Sequence, residues 1–162
     1  MKVALFVDIS NIFYCINKRF PKRKLDYAKL YERAQSFGDL QRAFAYGTQV
    51  SDEAVKFIRA LKAMGYDTKY KNPKQIELGE KIVFRRADHD VNIAMDIVRM
   101  TNRSDIIILS SSDADLVPVV NWVHDQGVKV IILACGIARE LKDAAQHWIE
   151  IDEHLLEDIK NA

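Results

Sequence analysis

The segment Ile106–Val120, IIILSSSDADLVPVV, decides how the rest of the chain is read. Ile106–Leu109 is an unbroken apolar run with no polar alternation, the pattern of a strand buried on both faces. Three serines and Asp113 end it, and Pro118 fits the first turn of a helix running through Trp122 to Gln126 and stopping at Gly127. A buried strand feeding a polar loop and then a helix is half of a parallel β-α-β unit. Working outward, Val3–Val7 and Val128–Ala134 have the same character. Weaker strands are predicted at Leu40–Tyr46, Tyr66–Lys71 and Trp148–Ile151. Helices are predicted after Asp8, at Asp52–Met64 behind Ser51 as N-cap, and at Asp90–Met100, Ala138–His147 and Glu153–Lys160. Asn72–Glu80, with Pro73 and Gly79, reads as a loop or hairpin at the sheet edge. This alternation predicts an α/β protein, a three-layer α/β/α sandwich around a mainly parallel central sheet.

The length, 162 residues, fits one domain over 1–162. A hydrophobic share of 49% with 29% charged residues excludes global disorder. Lys plus Arg total 24 against 23 acidic residues, so a polyanionic partner must be met by local patches and not by net charge. Cys15 and Cys135 are too few and too far apart for a disulfide framework or zinc knuckle. The first apolar run, Val3–Val7, is shorter than the roughly 7–15 residues of a secretory signal, and no run approaches the ~20 that span a bilayer. A soluble, cytoplasmic chain without membrane contact is expected; a homodimer is compatible with the sequence.

Ligands of open parallel sheets collect at the carboxyl ends of the strands. Asp8, followed by Ser10 and Asn11, ends the first strand; Asp113 and Asp115 follow the Ile106–Leu109 strand; Asp90 opens a helix, with Asp88 beside it and Asp96 further along. Each aspartate alone reads more readily as a helix cap or loop residue than as a ligand. Together they imply carboxylates converging on one rim. Two unit charges at ~4 Å repel by roughly 1 kcal/mol in water and about 4 kcal/mol at an effective dielectric near 20. Such a cluster takes up protons, recruits Lys or Arg, or binds a hard dication such as Mg²⁺ or Mn²⁺.

Four segments now align: FVDISN at 6–11, RADHDVNIAMD at 86–96, IIILSSSDADLVPVV at 106–120 and GVKVIIL at 127–133. In order and spacing they resemble the NYN domain family, the LabA-like branch of the PIN-like ribonuclease superfamily, over nearly the whole chain. The resemblance implies a PIN-like, Rossmann-like topology and a Mg²⁺- or Mn²⁺-dependent ribonuclease. It implies a metal and catalytic site of Asp8, Asp90, Asp113 and Asp115, with Asn11 supporting Asp8. Asp96 matches a further acidic position of the family, although six helical residues turn it about 240° from Asp90. Ser112 replaces the family's usual glycine and Leu116 its usual aromatic residue. These departures favour the alternative of a weakly active or inactive RNA-binding, regulatory domain.

An RNA partner, single-stranded in this reading, needs cations for its phosphates. The candidates are Lys22, Arg23 and Lys24, with Lys18 and Arg19 before them; Lys69, Lys71 and Lys74; and Arg85 with Arg86 just upstream of Asp90. Tyr14, Phe20, Tyr70 and Phe84 lie among them and could stack on bases. Three rival chemistries fail on the residues. A haloacid-dehalogenase-type phosphotransferase wants an acid where Ser10 stands, a toprim-type site wants Glu where Asp8 stands, and the six glycines form no phosphate loop.

Overall fold

A computed structural model describes residues 1–48, 51–85 and 88–160. Its elements run β1 Lys2–Asp8, α1 Ile9–Arg19, β2 Arg23–Leu25, α2 Tyr27–Gln35, β3 Asp39–Thr48, α3 Asp52–Met64, β4 Asp67–Lys71, β5 Lys74–Leu78 and β6 Lys81–Arg85. There follow α4 Asp90–Thr101, β7 Ile106–Ser110, α5 Val117–Asp125, β8 Lys129–Ala134, α6 Arg139–Ala145, β9 Trp148–Glu150 and β10 Leu156–Asp158. A six-stranded parallel sheet in the order β4-β3-β1-β7-β8-β9 forms the centre. Helices flank it, giving the expected PIN-like α/β architecture.

The two strongest apolar runs lie side by side. β1 pairs β7 from Val3 with Ile106 to Val7 with Ser110, which brings the loops after both strands to one rim. Val3–Val7 are fully buried, as a strand covered on both faces must be. Phe6 stacks on Phe44 of β3 at 5.1 Å, and Phe44 is followed on the same face by Tyr46. Because side chains alternate along a strand, Asp8 shares that face with Phe6, and its register partner is Tyr46. The face carrying Asp8 is the one over which α4 crosses, since Tyr46 Oη donates to Asp96 of that helix. Helix α3 ends as expected: Gly65, at φ 111°, supplies the left-handed cap that a side chain resists.

Three features depart from the sequence-based expectations. Glu153–Lys160 is not a helix: a short 3₁₀ turn at Glu153–Leu155, capped by Asp152, leads into β10, which pairs antiparallel with β2. The segment is too short to sustain a helix without packing, whereas as a strand it seats Leu156 opposite Leu25, both buried. The pairing is matched by charge, with Arg23 against Asp158 at 3.0 Å and Lys24 against Glu157 at 3.3 Å. Neither β2 nor α2 was expected, because three residues carry no periodicity and Asp26, which caps α2 through two backbone N–H groups, reads as a loop residue. The edge segment is a hairpin, extended to Arg85 and turning at Gly79 (φ 62°), and its strands form a two-stranded sheet of their own. No helix among the described residues is long and apolar enough to cross a membrane.

If β10 holds the end of the domain through Leu156, Leu156→Ala should lower unfolding stability by about 2–4 kcal/mol. Ile159→Ala, at a position 43% exposed, should stay within about 0.5 kcal/mol. Urea titration followed by circular dichroism checks both.

Candidate active site

Four strand- or helix-end carboxylates meet at the rim above β1 and β7. Asp8 caps α1, accepting from the Asn11 N–H at 3.3 Å, and only 8% of it is exposed. Asp113 caps the turn before α5, accepting from the Asp115 N–H at 2.9 Å. Asp90 opens α4. One carboxylate oxygen each from Asp90, Asp113 and Asp115 can be chosen so that all lie within 4.8 Å of one another. Asp8 and Asp113 are placed by the backbone N–H groups they cap, and Asp90 and Asp115 by their own N–H groups, which donate to Asp88 and Asp113, so local hydrogen bonding and a place in the cluster coexist.

The electrostatics follow from that crowding. Burial pushes the Asp8 carboxyl up to about 6, against the pull of the Asn11 N–H, and Asp113 and Asp88 add to the rise. Asp90 is pushed up to about 7 by burial, by a hydrogen bond and repulsion with Asp113, and by Asp88 and Asp8. The largest charge effects on both groups come from neighbouring aspartates, and the ion pairs among the described side chains lie elsewhere. An all-oxygen set of aspartates without a cation of its own fits a hard dication, with Asp90, Asp113 and Asp115 as holders and Asp8 alongside.

Asn11 bonds Asp8 through its backbone N–H and takes on a further task through its side chain. Its side-chain carbonyl accepts from the Ser112 N–H at 2.9 Å and the Ser112 hydroxyl at 3.0 Å, fastening the start of α1 to the loop that presents Asp113. The serine that replaces the family's glycine therefore adds a second bond to this clamp. Leu116 is buried at 1% exposure, packed into the core behind the turn. Asp88 turns out to be the helix-start residue for α4, accepting from the Asp90 N–H at 2.8 Å.

Asp96 lies apart from the cluster. Its oxygens accept from Tyr46 Oη at 2.7 Å, Lys69 Nζ at 2.6 Å and Arg99 Nη1 at 2.9 Å. Burial alone would raise its carboxyl, but the bonds from Lys69, Tyr46 and Arg99 hold it below the ordinary value. With both oxygens engaged, Asp96 is a structural anchor between α4 and the sheet and not a metal ligand in this arrangement. The network it organises was missed from sequence; only the i, i+3 spacing of Asp96 and Arg99 was legible. His89 is buried beside the Tyr46 ring, 6.1 Å between centroids. Burial, with Lys71 nearby, lowers its pKa and keeps the imidazole neutral.

The candidate RNA-binding cations scatter. Lys71 reaches the rim, donating to the Asp88 carbonyl at 2.9 Å. Arg23 and Lys24 are engaged by β10, and Lys22 sits in the turn before β2 with φ 67°. Arg85 ends β6 opposite Lys74. Arg86 lies outside the described residues.

Comparison with known proteins follows the same lines. The NYN domain model matches residues 2–152, and the chain belongs to the NYN domain family, a branch of the PIN-like nuclease superfamily. It is 27% identical over 161 residues to the Low amplitude and bright protein LabA of Synechococcus elongatus, covering 94% of this chain and 84% of that protein. The fold is shared with a crystal structure of a protein of unknown function from Vibrio parahaemolyticus, with TM-score 0.85, 24% identity and 96% of each chain covered.

Thermal shift assays with Mn²⁺ separate the two aspartate environments. A carboxyl held above its unfolded value contributes stability that is full below about pH 4 and is lost as pH rises through about 6 to 7. The metal-free protein should therefore lose that contribution over this range, and protons should compete with Mn²⁺ at its lower end. At about a hundredfold excess over Kd and about pH 7.5, Mn²⁺ should add about 2.7 kcal/mol, or roughly 5–10 °C, and much less near pH 5. Asp113→Asn should abolish the shift. Asp96→Asn should lower the metal-free Tm and leave the shift intact.

Proposed function

We propose that this chain is a metal-dependent ribonuclease that hydrolyses phosphodiester bonds of RNA, endonucleolytically and on single strands. The observation that carries the reading is the gathering, on one rim, of carboxylates from three distant parts of the chain, with no ion-pair partner for them among the described side chains. Membership of a nuclease superfamily supports it.

Asp90 and Asp113 would hold Mg²⁺ or Mn²⁺, with Asp8 beside them. Asp115, the most exposed of the four, would bind directly, through a water, or align the attacking water. A bound dication would lower the pKa of its water and stabilise charge growing on the scissile phosphate. The protein's own part is placement. The Asn11–Ser112 clamp fixes the Asp113 loop against α1, and the Asp88 turn fixes the first turn of α4. Asp90, whose carboxyl is pushed up to about 7, would give up its proton to a bound dication, so loading should release acid near neutral pH. No side-chain nucleophile is needed. The two serines after β7 fit this view, since Ser111 accepts from the Asp113 N–H and Ser112 bonds Asn11.

The test is cleavage of end-labelled single-stranded and hairpin RNA, with DNA as control, in Mg²⁺, Mn²⁺ or EDTA. Metal-dependent internal cuts are expected, lost in Asp8→Asn and Asp113→Asn at unchanged circular dichroism. Unchanged cleavage in either variant contradicts the assignment. RNA affinity with no cleavage in either metal would make the chain an RNA-binding module instead.

A further inference from the structure

A cationic groove runs beside α4 on the sheet face that carries Asp8. Helix α4 crosses the sheet over β1, and beside it β3 and β4 carry Phe44, Arg42 and Lys69 beneath a cleft of about 460 Å³ also lined by Asp96, Arg99 and Arg103. A second cleft of about 350 Å³ shares Arg42, Met100 and Arg103 and adds Lys2 at the foot of β1. The two form one furrow along the flank of α4. Its upper end lies one strand from Asp8, because Asp8 is the register partner of Tyr46 and Tyr46 bonds Asp96 in the furrow wall. Between Asp90 at the rim and Arg99 in the furrow, α4 rises ~14 Å.

Five cations line the furrow, Lys2, Arg42, Lys69, Arg99 and Arg103, against two carboxylates, Asp67 and Asp96. Asp67 takes Arg42 through Nε at 2.8 Å and through Nη2, and Asp96 takes one donor of Arg99 and the ammonium of Lys69. An arginine has five donors, so both guanidiniums keep free N–H groups, and the Arg42–Asp67 pair is half-exposed and easily shared. Arg42 and Lys69 lie over the Phe44 ring at 4.7 and 5.4 Å, which holds them on the furrow floor. Among the described side chains, Arg103 has no ion-pair partner.

We infer that this furrow is the track for the RNA strand leaving the carboxylate site, its phosphates held successively by Arg99, Arg42 and Arg103. The inference rests on the ribonuclease reading and assigns the substrate's path within it. The furrow is a cationic surface separate from Lys22–Lys24, where Arg23 and Lys24 pair with Asp158 and Glu157 of β10. A line of separated charges next to a cleavage centre suits a phosphodiester backbone better than a compact anion, which would sit in one converged cluster.

The experiment is fluorescence anisotropy with a labelled single-stranded oligouridylate in EDTA, where cleavage is silent, over a range of salt. In Arg42→Gln/Arg103→Gln the affinity should fall about tenfold, and the slope of log K against log salt should flatten by about 1.4, or 0.7 per lost contact. Arg42→Lys/Arg103→Lys should keep the slope, and Lys22→Gln/Lys24→Gln should bind within about twofold of wild type. Uridine monophosphate should not displace the oligomer at millimolar concentration. A Gln double variant with unchanged affinity and slope, while the Mn²⁺ thermal shift is normal, overturns the furrow alone. Displacement by micromolar mononucleotide overturns the strand track in favour of a compact anion site. Absence of RNA binding by the wild-type protein overturns the RNA reading as well.

Discussion

Mutual repulsion among carboxylates is the constraint around which this domain is arranged. Asp8, Asp90 and the Asp113–Asp115 turn come from three distant parts of the chain, yet they stand at the same rim, at the end of β1, the start of α4 and the turn before α5. Burial and neighbouring negative charge raise Asp8 and Asp90, so the metal-free rim holds protons that an ordinary aspartate would have lost. Perturbed carboxyls gathered in one cluster mark a candidate functional site. The contrast with Asp96 is instructive. A few residues further along α4, the same side chain is compensated by Lys69, Arg99 and Tyr46, and its pKa falls instead.

What makes the crowding tolerable is the rigidity beneath it. The buried β1 strand is flanked by β3 and β7, so the backbone at Asp8 is fixed by ladders on both sides. The Asp113 loop is fixed by a side-chain clamp, Asn11 to Ser112, and by its own turn bonds. The α4 helix is fixed at its start by Asp88 and at its middle by Asp96. The same Asp96 network sets the upper wall of the cationic furrow, so the anchor that positions one half of the site also arranges the charges beside it.

Much of this was legible in the amino-acid order. Unalternating runs such as Ile106–Leu109 announce a doubly covered parallel sheet, and Asp at their ends announces the rim. Longer-range features were not legible. Tyr46 reads as one more strand residue, and nothing local pairs it with Asp96, fifty positions on. The Asn11–Ser112 clamp spans 101 positions and exists only once β1 and β7 lie together. The basic run at Lys22–Lys24 looked free because its partners, Glu157 and Asp158, fell in a segment read as helix. That segment carries little apolar periodicity, so tertiary pairing with β2 decided its conformation.

The most direct measurement is anomalous diffraction from crystals soaked in Mn²⁺. The account predicts a peak at the rim within bonding distance of Asp90 and Asp113, with the Asp8 and Asp115 carboxylates turned towards it. A rim without anomalous density at saturating Mn²⁺, or a peak seated at Asp96 instead, would contradict it.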